Sequence, residues 1–263
     1  MKPAFLTTVV LLLAAVLSSA AEIRVAAAAD LAYALEQLVP AYERSSGNKV
    51  AVTYGSSGNF FAQLQSGAPF DVFMSADVTY PRKLVEAGKA DGKTLYVYAL
   101  GSLVLWVPGA SPLKLANGLA VLTEASIRKI AIANPEHAPY GRAAVAALKK
   151  AGVYEQVAAK LVLGENVSQA AQFVSSGNAD AGILALSLAL SPAMKSTGRY
   201  VELPTASYPA LEQAGVVISA STQKRAAESF LGFLQSEEAE EILMRSGFQP
   251  PGRASGGKKD GKQ

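Results

Sequence analysis

The ten residues VTYGSSGNFF, positions 52–61, join an apolar strand to a helix through a short turn of glycine and serine. Gly55 and Gly58 let the backbone turn tightly without a Cβ clash. Ser56 and Ser57 supply hydroxyl donors, and the helix that follows supplies unpaired N–H groups and the positive end of its dipole. The turn is therefore suited to an anion of about the size of phosphate. The same residues could also form a plain helix cap.

Strand and helix patterns alternate on both sides of this turn. Segments with helical spacing, such as residues 31–42 with an interruption or kink expected at Pro40, separate short apolar segments of strand length. This βαβ succession predicts an α/β fold with mostly parallel sheets and helices on both faces. The predicted strands are 22–29, 50–54, 70–75, 96–100, 103–107, 129–133, 161–163, 179–185 and 215–219, and the later helices include 60–65, 80–87, 142–151, 167–174, 187–194, 222–234 and 237–245.

The succession runs through two similar rounds, which predicts two lobes. Residues 22–99 and 208–250 are assigned to lobe I and residues 100–207 to lobe II, so that the chain crosses twice between the lobes, near Leu100 and Tyr208. Two crossings make a hinge, and a cleft between two α/β lobes is a favoured place for a small ligand. The predicted fold is therefore a two-lobed α/β architecture with the ligand cleft at the hinge.

The ends of the chain carry their own signals. Residues 1–21 have a lysine, an apolar block and a small-residue end, which predicts a cleavable secretory signal peptide and a soluble periplasmic product. Residues 251–263 are basic and rich in glycine, and we expect a disordered tail. Lys2 and this tail account for more than the whole net charge of +3, so the body has no broad basic field for nucleic acid. The chain has no cysteine, which excludes disulfides and thiolate metal sites.

Four strand-to-helix turns recur along the chain, two in each lobe: 28–30, 55–58, 135–141 and 165–167. If all four strand ends face the cleft, their helix N-termini converge on one point and hold an oxyanion by neutral donors and dipoles. Arg142 is the only cation near these turns. Neutral donors suit an anion that is selected by size and shape and then released, whereas a cluster of arginines would hold any anion.

At these turns the sequence resembles the molybdate- and tungstate-binding proteins of ABC importers, which have the type II periplasmic binding fold. The likeness covers about residues 22–250. It is carried by residues 25–31, YGSSG at 54–58, GAP at 67–69 with DVFMSAD at 71–77, NPEHAPYG at 134–141 and DAGI at 180–183. The resemblance implies a non-enzymatic, monomeric receptor that needs no metal or cofactor and delivers molybdate or tungstate to an inner-membrane ABC permease. The oxyanion contacts it implies are Ala29, Asp30, Ser57, Tyr140 and Val167.

Two positions depart from the pattern of that family. The position of Asp30 usually holds a neutral donor, and a carboxylate there would repel a dianion unless it is protonated or points away. We interpret Asp30 as an N-cap whose side chain bonds to the amides of its own helix. A position that is tyrosine in some members is Ala185 here, which offers no hydroxyl.

Two alternative functions remain open. A receptor for a protonated oxyanion, such as phosphate or phosphonate, would use the same turns. A secreted serine hydrolase would use Ser57 as nucleophile, but the nucleophile-elbow pattern requires a glycine where Asn59 stands, and His137 is the only histidine. A nucleotide site at residues 92–94 fails because the earlier glycine of a phosphate-binding loop is missing. The acids in the turns lack a histidine cluster, so no metal site is predicted.

Overall fold

The computed structural model describes residues 21–251, which form two five-stranded sheets with helices on their faces. The predicted signal peptide and basic tail fall almost wholly outside the described residues. The strands are β1 (Glu22–Ala28), β2 (Lys49–Gly55), β3 (Val72–Ser75), β4 (Tyr96–Gly101), β5 (Leu103–Pro108), β6 (Ile130–Ala133), β7 (Leu161–Gly164), β8 (Ala181–Ala185), β9 (Gly198–Glu202) and β10 (Leu211–Val217). The helices are α1 (Ala32–Ser46), α2 (Ser57–Gln65), α3 (Thr79–Glu86), α4 (Pro139–Lys150), α5 (Tyr154–Val157), α6 (Val167–Ser175), α7 (Leu186–Ala189), α8 (Pro192–Thr197), α9 (Lys224–Phe233) and α10 (Glu237–Arg245).

The first sheet has the strand order β2-β1-β3-β10-β4. The strand β1 pairs in parallel with β2 and β3, whereas β10 pairs antiparallel with both β3 and β4. The side chains of Ala26, Ala27 and Ala28 at the end of β1 are buried, so the alanine run lets neighbouring backbone approach closely. The parallel strands end at one edge of the sheet, and the turns that follow β1 and β2 therefore lie side by side.

The second sheet repeats this plan with the order β7-β6-β8-β5-β9. Here β6 pairs in parallel with β7 and β8, and β5 runs antiparallel between β8 and β9. The carboxyl ends of β6 and β7 lead into α4 and α6. The fold is thus the predicted α/β class with two lobes, and each lobe offers two strand-to-helix turns at one edge of its sheet.

The chain crosses between the sheets twice. The first crossing is Ser102, between β4 and β5, and the second lies between β9 and β10. Leu100 therefore belongs to a strand of the first sheet rather than to lobe II. The backbone N–H of Leu103 donates to the hydroxyl of Tyr208 at 3.1 Å, which ties the two crossings together.

Several local features differ from the sequence-based expectations. The strand β9 and the short helix α5 were not predicted, and α2 and α4 each begin three residues before the helices predicted over 60–65 and 142–151. Pro40 lies inside an unbroken α1, because it is exposed and the carbonyl that loses its partner can bond to water. The helix predicted over 187–194 is two helices, since Ser191 caps α8 and Pro192 occupies its first position. The 3₁₀ segment Leu115–Thr123 was not predicted.

Candidate anion site between the lobes

A small cavity of about 10 Å³ lies where the four predicted turns meet. Pockets for drug-sized ligands have volumes of about 300–1,000 Å³, so this cavity suits only a ligand of a few atoms. Both lobes contribute to its wall, and none of the described lining residues is a lysine or an arginine. The lining residues are Ala28, Ala29, Asp30, Gly55, Ser56, Ser57, Ala76, Ala138, Pro139, Tyr140, Asn166 and Val167.

Ser57 is the first residue of α2 and is almost fully buried. Its hydroxyl oxygen accepts a hydrogen bond from the N–H of Ala76 at 3.0 Å. The hydroxyl proton is then left to donate elsewhere, and the backbone N–H has no partner within the helix because it belongs to the first turn. Ser56 is the N-cap, and its side chain accepts from the N–H of Asn59. Ser57 therefore offers two donors at the cavity.

Tyr140 and Val167 bring two helix N-termini from the second lobe. Pro139 occupies the first position of α4, where its missing N–H costs nothing, and Tyr140 follows it. Asn166 caps α6 by accepting from the N–H of Gln169, and Val167 is the first helical residue. Both Tyr140 and Val167 are buried. What Tyr140 and Val167 share is their position in the first turn of a helix. Because this position matters in the wall and the side chain does not, the two residues can be of different types.

The predicted N-cap role of Asp30 is wrong. Ala28 occupies the cap position of the 3₁₀ turn Ala29–Leu31, and no side chain caps that turn. Asp30 lies two residues further on and is only 1% exposed. Its Oδ2 accepts a hydrogen bond of 2.8 Å from Nε2 of Gln213 in β10, and Oδ1 has no hydrogen-bond partner among the described residues.

Asp30 is the centre of a buried polar network that sequence reasoning missed. Burial raises the pKa of the Asp30 carboxyl to about 7, although the Tyr140 hydroxyl, the backbone amide of Asp30 and Gln213 each oppose this rise. Burial and the charge of Asp30 raise the pKa values of Tyr98 and Tyr140 well above their usual range. Gln213 is 0% exposed. The one feature of the sequence that could have indicated this network is its polar side chain within the otherwise largely apolar segment 211–217.

The turn at 55–58 and the start of α2 hydrogen-bond directly to the second lobe. The N–H of Gly58 donates to the carbonyl of His137 at 2.9 Å, and the hydroxyl of Ser56 lies 2.9 Å from Nδ1 of the same histidine. A Cβ on Gly58 would lie 2.5 Å from that carbonyl oxygen, so only glycine permits this approach. At the rim, Asn59 donates to a carboxylate oxygen of Glu165 at 3.1 Å.

Further contacts hold the lobes together around the cavity. The hydroxyls of Ser168 in α6 and Ser187 in α7 donate to the carbonyls of Ala29 and Asp30 at 2.9 and 2.7 Å. Arg142 does not line the cavity: its guanidinium donates to a carboxylate oxygen of Asp77 at 2.7 Å and to the hydroxyl of Tyr80 at 3.0 Å. The cation expected beside the turns is therefore engaged in an ion pair between the lobes.

Nucleophilic catalysis finds no support in this geometry. Ser57 bonds to the Ala76 amide, and the histidine pairs with Ser56 instead, which already caps α2. No carboxylate within residues 21–251 is hydrogen-bonded to His137. Within the same residues no group of three acidic or histidine side chains could hold a metal ion. Ala185 ends β8 and is not part of the cavity wall.

Known proteins with similar sequences share a binding role. The family model described as bacterial extracellular solute-binding protein matches residues 23–249. The chain is 36% identical to the Molybdate-binding protein ModA of Azotobacter vinelandii, over 88% of this chain and 91% of that protein. It is also 36% identical to the protein of that name from Rhodobacter capsulatus, over 88% of this chain and 89% of the relative.

Two solved structures are similar to this chain in fold. The periplasmic molybdate-binding protein of Azotobacter vinelandii superposes with a TM-score of 0.82 and 34% identity, over 87% of this chain and 99% of that one. The sulfate-binding protein SubI of Mycobacterium tuberculosis superposes with a TM-score of 0.71 at 19% identity, covering 89% of this chain and 88% of that one. That second likeness concerns the fold alone.

Proposed function

Because the chain belongs to the family of bacterial extracellular solute-binding proteins, we propose that it is the periplasmic binding component of an ABC importer and captures molybdate between its lobes. The two relatives that are 36% identical over 88% of the chain are binding proteins for molybdate by name, which supports a receptor rather than an enzyme. No helix within residues 21–251 has the length and apolar character needed to cross a bilayer. Its partner is an inner-membrane permease, and the receptor acts as a monomer.

The observation that carries this proposal is the composition of the cavity wall. Ser57, Tyr140 and Val167 each lie in the first turn of a helix whose N-terminus is at the cavity. Backbone N–H groups in first turns lack intrahelical acceptors and carry the positive end of the helix dipole. An oxyanion that offers only acceptors matches such a wall, and Ala29, Asp30, Ser57, Tyr140 and Val167 are its proposed contacts.

The small volume explains selection by size. An anion must fit the space between two lobes that already hydrogen-bond to one another, so a ligand with additional carbon atoms would hold the lobes apart. Molybdate and tungstate are both tetrahedral dianions of closely similar size, and we propose that both bind. The described wall has no lysine or arginine to hold the anion, which favours its release when the lobes separate.

Titration calorimetry with molybdate, tungstate, sulfate and phosphate tests the proposal. Molybdate is expected to bind, and Ser57→Ala is expected to weaken it by about 1–3 kcal/mol because a buried anion oxygen loses a donor. Ser246→Ala is the matched control, since Ser246 is equally buried but lies outside the cavity wall. Absence of binding by all four anions would refute the receptor, and equal losses in both variants would refute the placement of Ser57.

A second candidate ligand is favoured by one observation, the buried Asp30 in the wall. A carboxylate can accept a hydrogen bond from a proton-bearing anion such as hydrogen phosphate or a phosphonate, whereas fully deprotonated molybdate has no proton to give. Phosphate affinity that exceeds molybdate affinity in the same titrations would assign the receptor to this class of anion.

A further inference from the structure

Asp30 presents an electrostatic conflict within the proposed function. It is the only acidic residue among the described residues of the cavity wall, and it is 1% exposed. A dianion and an ionised carboxylate in one desolvated cavity would repel each other at short range, where little water screens them. The wall therefore accepts a dianion only if something neutralises the carboxyl.

No lysine or arginine within residues 21–251 is in place to neutralise the carboxylate of Asp30. From β10, Gln213 donates to Oδ2; from β4 and α4, the hydroxyls of Tyr98 and Tyr140 face the same network. The facing groups of α6 and α7 are the hydroxyls of Ser168 and Ser187, which donate to the backbone carbonyls of the turn.

The remaining side chains around the turns are committed elsewhere. On the α2 side, His137 pairs with Ser56, and at the rim Glu165 accepts from Asn59. Arg142 is held by Asp77. Of the two oxygens of Asp30, Oδ1 has no partner among the residues that the structure describes and can carry a proton without breaking a hydrogen bond.

We propose that Asp30 couples anion capture to a proton: a dianion binds only when this carboxyl is neutral, so capture above neutral pH takes up one proton from solvent onto Oδ1. This inference rests on the proposed function and deepens it. The protonated carboxyl has one O–H donor and no charge. Asp30 then adds to the donors at the cavity and sets the pH at which the receptor accepts a dianion.

Linkage fixes the size of the effect. The pKa of the carboxyl is about 7 without ligand, and a dianion beside it raises that pKa further because it disfavours the ionised form. Below pH 7 the carboxyl is neutral in both states and affinity does not depend on pH. Above pH 7 one proton must be acquired with each anion, and affinity falls by about tenfold per pH unit.

The test is titration calorimetry of the full mature chain with sodium molybdate at pH 6 and pH 8, each in two buffers of different ionisation enthalpy. The dependence of the observed heat on that enthalpy gives the number of protons taken up. For wild type we expect about 0.1 proton at pH 6, about 0.9 proton at pH 8, and an affinity about tenfold lower at pH 8. For Asp30→Asn we expect no uptake and the same affinity at both pH values.

Two variants control for the other titratable side chains at the cleft. His137→Gln and Glu165→Gln are expected to keep the wild-type proton uptake whatever their affinity. Uptake that disappears in His137→Gln but persists in Asp30→Asn would overturn the inference.

The wild-type measurement is decisive without any variant. Clear binding heat at pH 8 with no proton uptake would overturn the inference and leave the receptor standing. No binding heat with molybdate, tungstate, sulfate or phosphate would overturn the proposed function, and the inference with it.

Discussion

Replacement of Asp30 by asparagine is expected to stabilise the ligand-free protein at alkaline pH. The pKa of the carboxyl rises from 3.8 to about 7 on folding, and each pKa unit corresponds to about 1.36 kcal/mol. The ionised side chain therefore destabilises the folded protein by up to about 4 kcal/mol above pH 7. Asparagine removes this charge and keeps an oxygen to accept from Gln213.

The sign of the pH dependence follows from the direction of the shift. At pH values above 3.8 the unfolded chain ionises Asp30 freely, whereas the folded protein keeps its proton until about pH 7. The contribution of protonated Asp30 to the free energy of unfolding of wild type is thus present at pH 4 and is lost as the pH rises to 7. The stabilisation by asparagine should be small at pH 4, grow between pH 4 and 7, and stay constant above pH 7.

Urea unfolding at pH 4, 6 and 8, followed by circular dichroism, measures this difference. Asp71→Asn is the matched control, because Asp71 is also fully buried but accepts hydrogen bonds from the N–H of Arg24 and the hydroxyl of Ser221. That substitution should destabilise by about 1–3 kcal/mol. A stability difference between wild type and Asp30→Asn that is equal at all three pH values would refute the reasoning.

Three other substitutions address the contacts between the lobes. Gly58→Ala places a Cβ 2.5 Å from the His137 carbonyl oxygen, so it should weaken molybdate binding at least tenfold. It should also abolish the compaction on ligand binding that small-angle X-ray scattering is expected to show in wild type, and an unchanged affinity would contradict a closed ligand site. Arg142→Gln removes the partly exposed ion pair with Asp77 and should speed molybdate release by at most about fivefold in stopped-flow measurements; a change of a hundredfold would place Arg142 at the ligand. Ser56→Ala removes the cap of α2 and should lower unfolding stability by about 1 kcal/mol, and a neutral result in urea titration would show that the cap is dispensable.

The sequence predicts the scaffold of the site because helix N-termini depend on local patterns. The turn at 55–58 and the start of α6 at Val167 follow from serine, asparagine and glycine next to strand-length apolar segments. The helix predicted over 60–65 lies within α2, which begins three residues earlier, at Ser57. The pairing of two turns at one edge of each sheet follows from the carboxyl-edge rule for parallel strands. The meeting of the two pairs depends on how the two lobes face each other, which that rule does not determine.

The network around Asp30 could not be predicted in the same way. Gln213 is 183 residues from Asp30 along the chain, and the partner of a buried carboxyl depends on which strands become neighbours. The sequence favoured a local solution, an N-cap, because aspartate before a helix usually bonds to nearby amides. The tight turn at Ala29–Leu31 shifts the cap to Ala28 and leaves Asp30 to the non-local partner.

The position of β10 in the first sheet has a consequence for the order in which the lobes can fold. This strand lies between β3 and β4, yet it is made of residues 211–217, whereas the second sheet is complete within residues 103–202. A chain that is synthesised from its N-terminus cannot complete the first sheet until residues 211–217 have been made. The second lobe comes from one continuous segment and is therefore expected to fold first. The other half of the binding site forms only when the first lobe is complete.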